Sequence, residues 1–298
     1  MPLVTANGLQ FEVERHEAIG PVKGWPILLI MGLGMQLTAW PPAFIDGLRK
    51  LGHPVITFDN RDIGLSTKRR EWGKPNLLAA SLLYTMGLKP PAPYTLDDLC
   101  ADTAALLDAL ALPRVHVVGV SMGGMIGQLL TARHPERVAS FTCVMSTSGA
   151  RSLPGPKFEA RRALMSRPAD PGDVEAVIDH YLTVFGVLAG PGYPTPPHEA
   201  RERIARGVRR SHHPLGSLRQ LVGIVASGDR SRLLKTIKVP TIIVHGSADP
   251  LVPVAAAHDL AAKIPGAELR IIDGMGHDLP PGALPLLIDA VAANLKHR

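Results

Sequence analysis

The sequence predicts an α/β fold: a mainly parallel, twisted sheet flanked by helices, with a helical cap insertion. Three observations carry that expectation. Short apolar, β-branched runs alternate with longer helical patterns, the mark of βαβ units. The alternation breaks between residues 145 and 241 and then resumes, as when an insertion interrupts one core. At 298 residues the chain is long for one domain of roughly 100 to 200 residues, yet suits one α/β core plus an insertion. We therefore expect a core of residues 1–146 and 236–298 and a cap of residues 147–235.

Strands are expected at 9–16 (LQFEVERH), 26–31 (PILLIM), 54–59 (PVITFD), 115–120 (VHVVGV), 138–145 (VASFTCVM), 241–246 (TIIVHG) and 267–273 (AELRIID). Helices fit between them. Thr95 opens TLDDLCADTAALLDALAL, where Thr95 and Asp98 have capping-box spacing ahead of Leu99, Ala105, Leu106 and Leu110 on one face. Proline and glycine clusters (SLPGPKF, RPADPGD, GPGYPTPPH) punctuate residues 147–235 around helical pieces at 174–184 and 199–210. A helical insertion there covers the carboxyl edge of the sheet, where parallel sheets bind ligands. A smaller insertion, 71–93, contains NLLAASLLYTMGL, apolar enough for a lid helix or a membrane-surface helix. Packing against the cap is expected, because the stretch has no Lys or Arg of its own for a lipid interface.

Apolar residues make up 46% and charged residues 19% of the chain, with neither low-complexity runs nor internal repeats, so it reads as globular. A net charge of +6 raises nucleic acid or an anionic surface as a partner. That excess is local, because residues 150–235 hold fourteen Lys/Arg against eight Asp/Glu. Arg201, Arg203, Arg206, Arg209 and Arg210 accompany Ile204 and Val208 at helical spacing, which reads as the solvated face of an amphipathic cap helix. No nucleic-acid partner is therefore expected. The first twenty residues lack the basic start and apolar core of a secretory signal, and the early run ILLIMGLGM falls short of the roughly 18 residues that span a bilayer. Cys100 and Cys143 have neither disulfide nor metal spacing. A cytoplasmic protein with no membrane span follows as the expectation, and the sequence specifies no oligomeric state.

The most specific signal is Gly119-Val120-Ser121-Met122-Gly123, a G-x-S-x-G between a strand and a helix. In that setting the serine occupies a strained turn that lifts its hydroxyl above the sheet, and Gly119, Gly123 and Gly124 supply the room. The following helix points its amino end at Ser121, where its dipole favours developing negative charge. A hydroxyl is a weak nucleophile without a base and an orienting acid. Asp249, in HGSADPLVP, and His277, in GMGHDLP, follow in the required chain order, each beyond a strand. Asp273 and Asp278 compete with Asp249 by proximity to His277, and Asp278 is expected to be a surface neighbour. Acyl transfer also needs two oxyanion donors: the backbone N–H of Met122, and that of Leu33 in the MGLGMQ loop, which Gly32 and Gly34 shape.

Together these residues resemble the α/β-hydrolase superfamily over nearly the whole chain. The GVSMGG elbow, HGSADPLVP, GMGHDLP and FDNRDIGLS (58–66) stand in that family's order. MGLGMQLTAW, DNRDIGLS and PYTLDDL look like the branch of carboxylesterases that includes aclacinomycin methylesterases. Two departures matter. Many members have His-Gly at the oxyanion loop, whereas Met31 precedes Gly32 here; many read D-x-R-G-x-G-x-S, whereas this chain places Asp62 after Arg61. Asp62 is expected to fix its loop or to pair with Arg61.

Residues and resemblance together imply a serine carboxylester hydrolase acting on small to medium or hydrophobic small-molecule esters through an acyl-enzyme, with a Ser121–His277–Asp249 triad. No cofactor and no metal are expected, since H-E-x-x-H, paired cysteines and a helix-opening G-x-G-x-x-G do not occur. Serine at the elbow argues against haloalkane dehalogenase and epoxide hydrolase chemistry. The same triad would serve a cofactor-free perhydrolase of haloperoxidase type, a C–C bond hydrolase, an amidase or a lactonase, and a non-catalytic ligand-binding member of the fold stays open. Gly32, Met35, Gln36 and Trp40 are expected along the substrate pocket, with Met122, Met125, Tyr181, Phe185 and Tyr193 as further apolar lining.

Overall fold

Asn7 and Gly8 both adopt positive φ (47° and 69°), which turns strand β1 (Val4–Ala6) back onto β2 (Leu9–Phe11) in an antiparallel pair. The computed structural model describes residues 3–295. The strand expected at 9–16 is therefore two: β2 closes the hairpin, and β3 (Val13–His16) joins the main sheet antiparallel to β5 (Val55–Phe58). The remaining strands are parallel and fall within the expected limits: β4 (Ile27–Ile30), β6 (Val115–Val120), β7 (Val138–Val144), β8 (Thr241–Gly246) and β9 (Glu268–Ile272). Their order across the sheet is β3-β5-β4-β6-β7-β8-β9.

Side chains of successive strand residues face opposite sides of a sheet, and here both sides are covered. Leu28 and Ile30 of β4 join Val117 of β6 and Phe141 of β7 beneath α3 (Leu96–Ala109), α4 (Met122–Arg133) and α10 (Ala255–Lys263). Ile27 and Leu29 join Val118, Val144 and Val244 on the other side, beneath α1 (Pro42–Lys50) and α11 (Leu284–Asn294). This two-sided cover explains why ILLI is a continuous apolar run and VITF departs from one only at Thr57. The α3 start is as expected: the Thr95 and Asp98 side chains form both halves of the capping box.

The chain leaves β4 towards β5 on one side, whereas β6 lies on β4's other side and leads to β7. The carboxyl ends of β4 and β6 thus flank the topological switch point, the crevice where open parallel sheets bind ligands. Between β7 and β8 the chain holds α5 (Phe158–Met165), α6 (Val174–Leu188), α7 (Pro197–Arg210), α8 (Pro214–Ser227) and α9 (Ser231–Leu234), with no strand among them. The smaller insertion supplies α2 (Leu77–Thr85), which meets α8 on one side only; Ala80 is its one buried residue. The expected packing of this helix is onto α8, while Leu78 and Leu82 stay exposed.

Arg61 does not pair with Asp62. Its guanidinium forks onto Asp102 of α3, with both N–H···O distances 2.5 Å and both side chains buried, and Asn7 donates to the same carboxylate at 2.7 Å. Asp62 accepts from the Tyr94 hydroxyl at 2.8 Å and faces Arg219 of α8 at 3.3 Å. Breaking a buried ion pair by removing one partner strands the other charge. Asp102→Ala is expected to lower stability by about 3–5 kcal/mol in urea unfolding, well beyond the effect of a surface Asp→Ala change.

Candidate active site

Strand β6 is buried along its whole length and runs out one residue before Ser121, whose backbone (φ 55°, ψ −116°) lies where side chains are rarely tolerated. Three bonds hold it there. The Ser121 N–H donates to the Val144 carbonyl at 2.9 Å, and its own carbonyl accepts from Met125 N–H at 3.2 Å and the Ser146 hydroxyl at 2.8 Å. The flanking glycines are obligatory: a Cβ on Gly123 would stand 1.9 Å from the Ile30 carbonyl oxygen, and one on Gly119 would stand 2.3 Å from the Gly123 oxygen. At Gly124 a Cβ would meet Ser146 at 2.7 Å.

The structure brings the three expected residues together. His277 Nε2 lies 3.0 Å from Ser121 Oγ, and its Nδ1 lies 2.7 Å from Asp249 Oδ2. The other Asp249 oxygen accepts from the Leu251 and Val252 amides, each at 2.8 Å. Burial alone would raise the Asp249 carboxyl, but neighbouring His277, its hydrogen bond, the close His245 imidazole and the Val252 amide hold it well below the usual carboxylate range. Sequence reasoning missed His245, which is fully buried on β8, donates to the Val252 carbonyl at 2.7 Å and stands 3.4 Å from Asp249. Its only signal was its position four residues before the acid.

His277 is placed by backbone. Its N–H donates to the Leu188 carbonyl at the end of α6 at 2.8 Å, and the Gly192 N–H donates to the Gly274 carbonyl at 2.9 Å. The two strips touch so closely that a Cβ on Gly276 would fall 2.2 Å from the Gly190 nitrogen. The competing acids are set apart: Asp273 is exposed and accepts from the Ser247 hydroxyl at 2.7 Å. Asp278 is no surface neighbour. It is largely buried near Arg203 and the Gly190 amide, and burial pushes its carboxyl up to about 6.

Across the switch point, Gly32 backs onto the serine, where a Cβ would meet Ser121 Cβ at 3.2 Å. Among the described residues neither the Leu33 nor the Met122 amide donates to a backbone acceptor, the condition an oxyanion hole requires. Two helices clamp this loop. Gln220 of α8 accepts from Gly34 N–H at 2.9 Å, and Gln36 donates to the Gly207 and Ser211 carbonyls at 2.6 and 2.7 Å while accepting from Arg210 at 2.8 Å. Gln36 was expected along the pocket; it is instead buried with its amide fully engaged as a strut. Trp40 is likewise core, stacked on Phe44 at 5.6 Å, and touches a surface cleft beside Glu14, His16 and Arg206. Met35 is half-buried against the same core cluster.

The arginines expected on a solvated face divide. Arg201 and Arg209 pair with Glu175 on α6 at the surface. Arg210 turns inward, 2.7 Å from the fully buried Asp59, which also accepts from the Leu37 and Leu65 amides. Arg203 donates to the Leu279 carbonyl at 3.3 Å. Among the described residues no three His, Cys, Asp or Glu side chains gather as a metal site, and no helix is long and apolar enough to cross a membrane.

A family described as the alpha/beta hydrolase fold matches residues 26–176. A rhodomycin D methylesterase of Streptomyces sp. (strain C5) is 30% identical over 307 residues, covering 94% of each chain. The chain belongs to the alpha/beta hydrolase fold family. A rhodomycin D methylesterase of Streptomyces peucetius is 28% identical, with 94% of each chain covered, and a poly(3-hydroxyalkanoate) depolymerase of Ectopseudomonas oleovorans is 30% identical over 85% of this chain and 77% of that one. Among solved structures, the meta-cleavage product hydrolase of Pseudomonas fluorescens IP01 shares the fold with a TM-score of 0.75 at 18% identity, over 99% of this chain and 97% of that one. The protein is a hydrolase.

Two outcomes follow for this hydrolase. Gly123→Ala drives a methyl group into the Ile30 carbonyl, so it is expected to lose more than about 3 kcal/mol in urea unfolding. The second concerns pH. The folded state keeps a proton on Asp278 up to about 6, whereas the unfolded chain releases it near 3.8, so this group's contribution to stability is present below 3.8 and is lost as pH rises through about 6. Asp278→Asn should remove that dependence and be about 1–3 kcal/mol more stable than wild type at pH 8, with little difference at pH 4.

Proposed function

We propose that this hydrolase is a serine carboxylesterase in which Ser121 is the nucleophile, His277 the base, Asp249 the orienting acid, and the Leu33 and Met122 amides the oxyanion donors. One observation carries the reading: the continuous relay from Ser121 Oγ through both His277 nitrogens to Asp249, at 3.0 and 2.7 Å, beneath a strained elbow. An ion pair or a loop brace needs no strained serine at its end. The retained triad also weighs against a non-catalytic ligand-binding reading.

In the first half-reaction Ser121 Oγ bonds to the ester carbonyl carbon as its proton passes to His277 Nε2, and the carbonyl electrons move onto the oxygen facing the two amides. Collapse breaks the bond to the alcohol oxygen, which takes the proton from Nε2 and leaves. Water then repeats the path on the acyl-enzyme and releases the acid. Asp249 stays ionised through the working range because its neighbours hold its proton affinity low, so it keeps Nδ1–H of the imidazole pointed at itself. Each oxyanion donor is worth roughly 3–4 kcal/mol in such sites. We read α5–α9, residues 147–235, as the cap over this chemistry, and the two relatives named as methylesterases make a methyl ester the first natural substrate class to try.

Hydrolysis of a short-chain p-nitrophenyl ester by the purified protein tests the reading. Ser121→Ala should reduce kcat by on the order of 10⁴-fold or more with the fold intact. A wild-type rate that survives the substitution would remove Ser121 as the nucleophile.

A further inference from the structure

Helix α2 shows solvent an apolar stripe that its contact with α8 leaves uncovered. Leu78 is 86% exposed, Leu82 62% and Met86, at the helix's C-cap, 64%, at i, i+4 and i+8. A row of large apolar side chains this open to water marks an interaction surface, since single exposed leucines are ordinary and a contiguous set is not.

The charge flanking the stripe along the chain has one sign. From residue 72 to residue 96 the chain contains no carboxylate, while Lys74 and Lys89 stand exposed before and after α2. Arg151, from the segment after β7, lies over the Tyr84 ring, 4.7 Å from its centroid, on the Ala80 side of the helix and away from the stripe. Glu71, the last carboxylate before the helix, pairs with Arg69. Apolar side chains with a cationic border match the boundary between anionic headgroups and acyl chains. A second copy of this chain would bring the same positive charge to the same face, which opposes self-association there.

We propose that α2, with Lys74 and Lys89, docks this hydrolase onto anionic lipid bilayers. The stripe enters the acyl boundary while the cations meet headgroup phosphates. Docking is peripheral, because α2 is far too short to cross a bilayer. It rests on none of the residues assigned to catalysis.

Flotation of the full-length protein with vesicles tests this. Binding is expected to vesicles of phosphatidylcholine mixed with phosphatidylglycerol, to weaken with added salt, and to be much lower on phosphatidylcholine alone. The Leu78→Glu/Leu82→Glu double variant should lower the partition coefficient by at least about tenfold while its melting temperature and its rate on a soluble p-nitrophenyl ester match wild type. The Lys74→Gln/Lys89→Gln variant should weaken binding less, and only to anionic vesicles. Absence of flotation, or flotation undiminished in the double variant, overturns the proposal. So does a wild-type dimer in sedimentation equilibrium that the same double variant disperses, which would make a second copy the occupant.

Discussion

Everything at the site depends on a serine backbone held where serine does not rest by itself. A residue at φ 55° and ψ −116° costs about 1–3 kcal/mol, and it persists only where its surroundings over-determine it. Here β6 supplies that control, buried between β4 and β7 and packed from both faces, with Val144, Met125 and Ser146 fixing the peptide groups of Ser121. The glycines follow from this geometry. With the turn drawn so tight, Gly119 and Gly123 face carbonyl oxygens at distances no methyl group survives, and Gly32 must pass close behind the serine.

Buried carboxylates organise what surrounds the turn. Asp249 gathers two amides and two histidines at the end of β8; Asp59 gathers two amides and Arg210 beyond β5. Both are fully enclosed acceptors whose lone pairs are matched by donors, which is how a protein interior tolerates charge. The first aims an imidazole at the serine. The second ties the Gly32–Leu37 loop to helix α7.

What the sequence made legible was local. Continuous apolar runs marked the strands because both faces of the sheet are covered, and the G-x-S-x-G between strand and helix marked the turn because its steric demands fall on adjacent residues. The hairpin at Asn7-Gly8 was missed although its turn signal was present, because the strands beside it are only three residues long. Side-chain roles set by distant partners were not legible. Gln36 and Arg210 meet 174 positions apart, and helical periodicity places Arg203 and Arg210 on a polar face without saying that this face closes over the core. Asp278 was misjudged for the same reason: alternation along a loop predicts outward pointing, but the α6–α7 connection folds over it. Trp40 belongs with these, its neighbour Phe44 being visible only in three dimensions as a stacking partner.

The helices between β7 and β8 touch both halves of the candidate machinery by backbone as much as by side chain. The Leu188 carbonyl holds the His277 loop; the Gly207 and Ser211 carbonyls and Gln220 hold the loop after β4. An insertion joined in this way is not an exchangeable module. Recombination that swaps it for a homologous segment must carry over the Gly190–Gly192 strip and the end of α7 together with their matching loops. Diversification within such a scaffold is therefore channelled into positions facing away from these junctions, however variable the insertion looks by length.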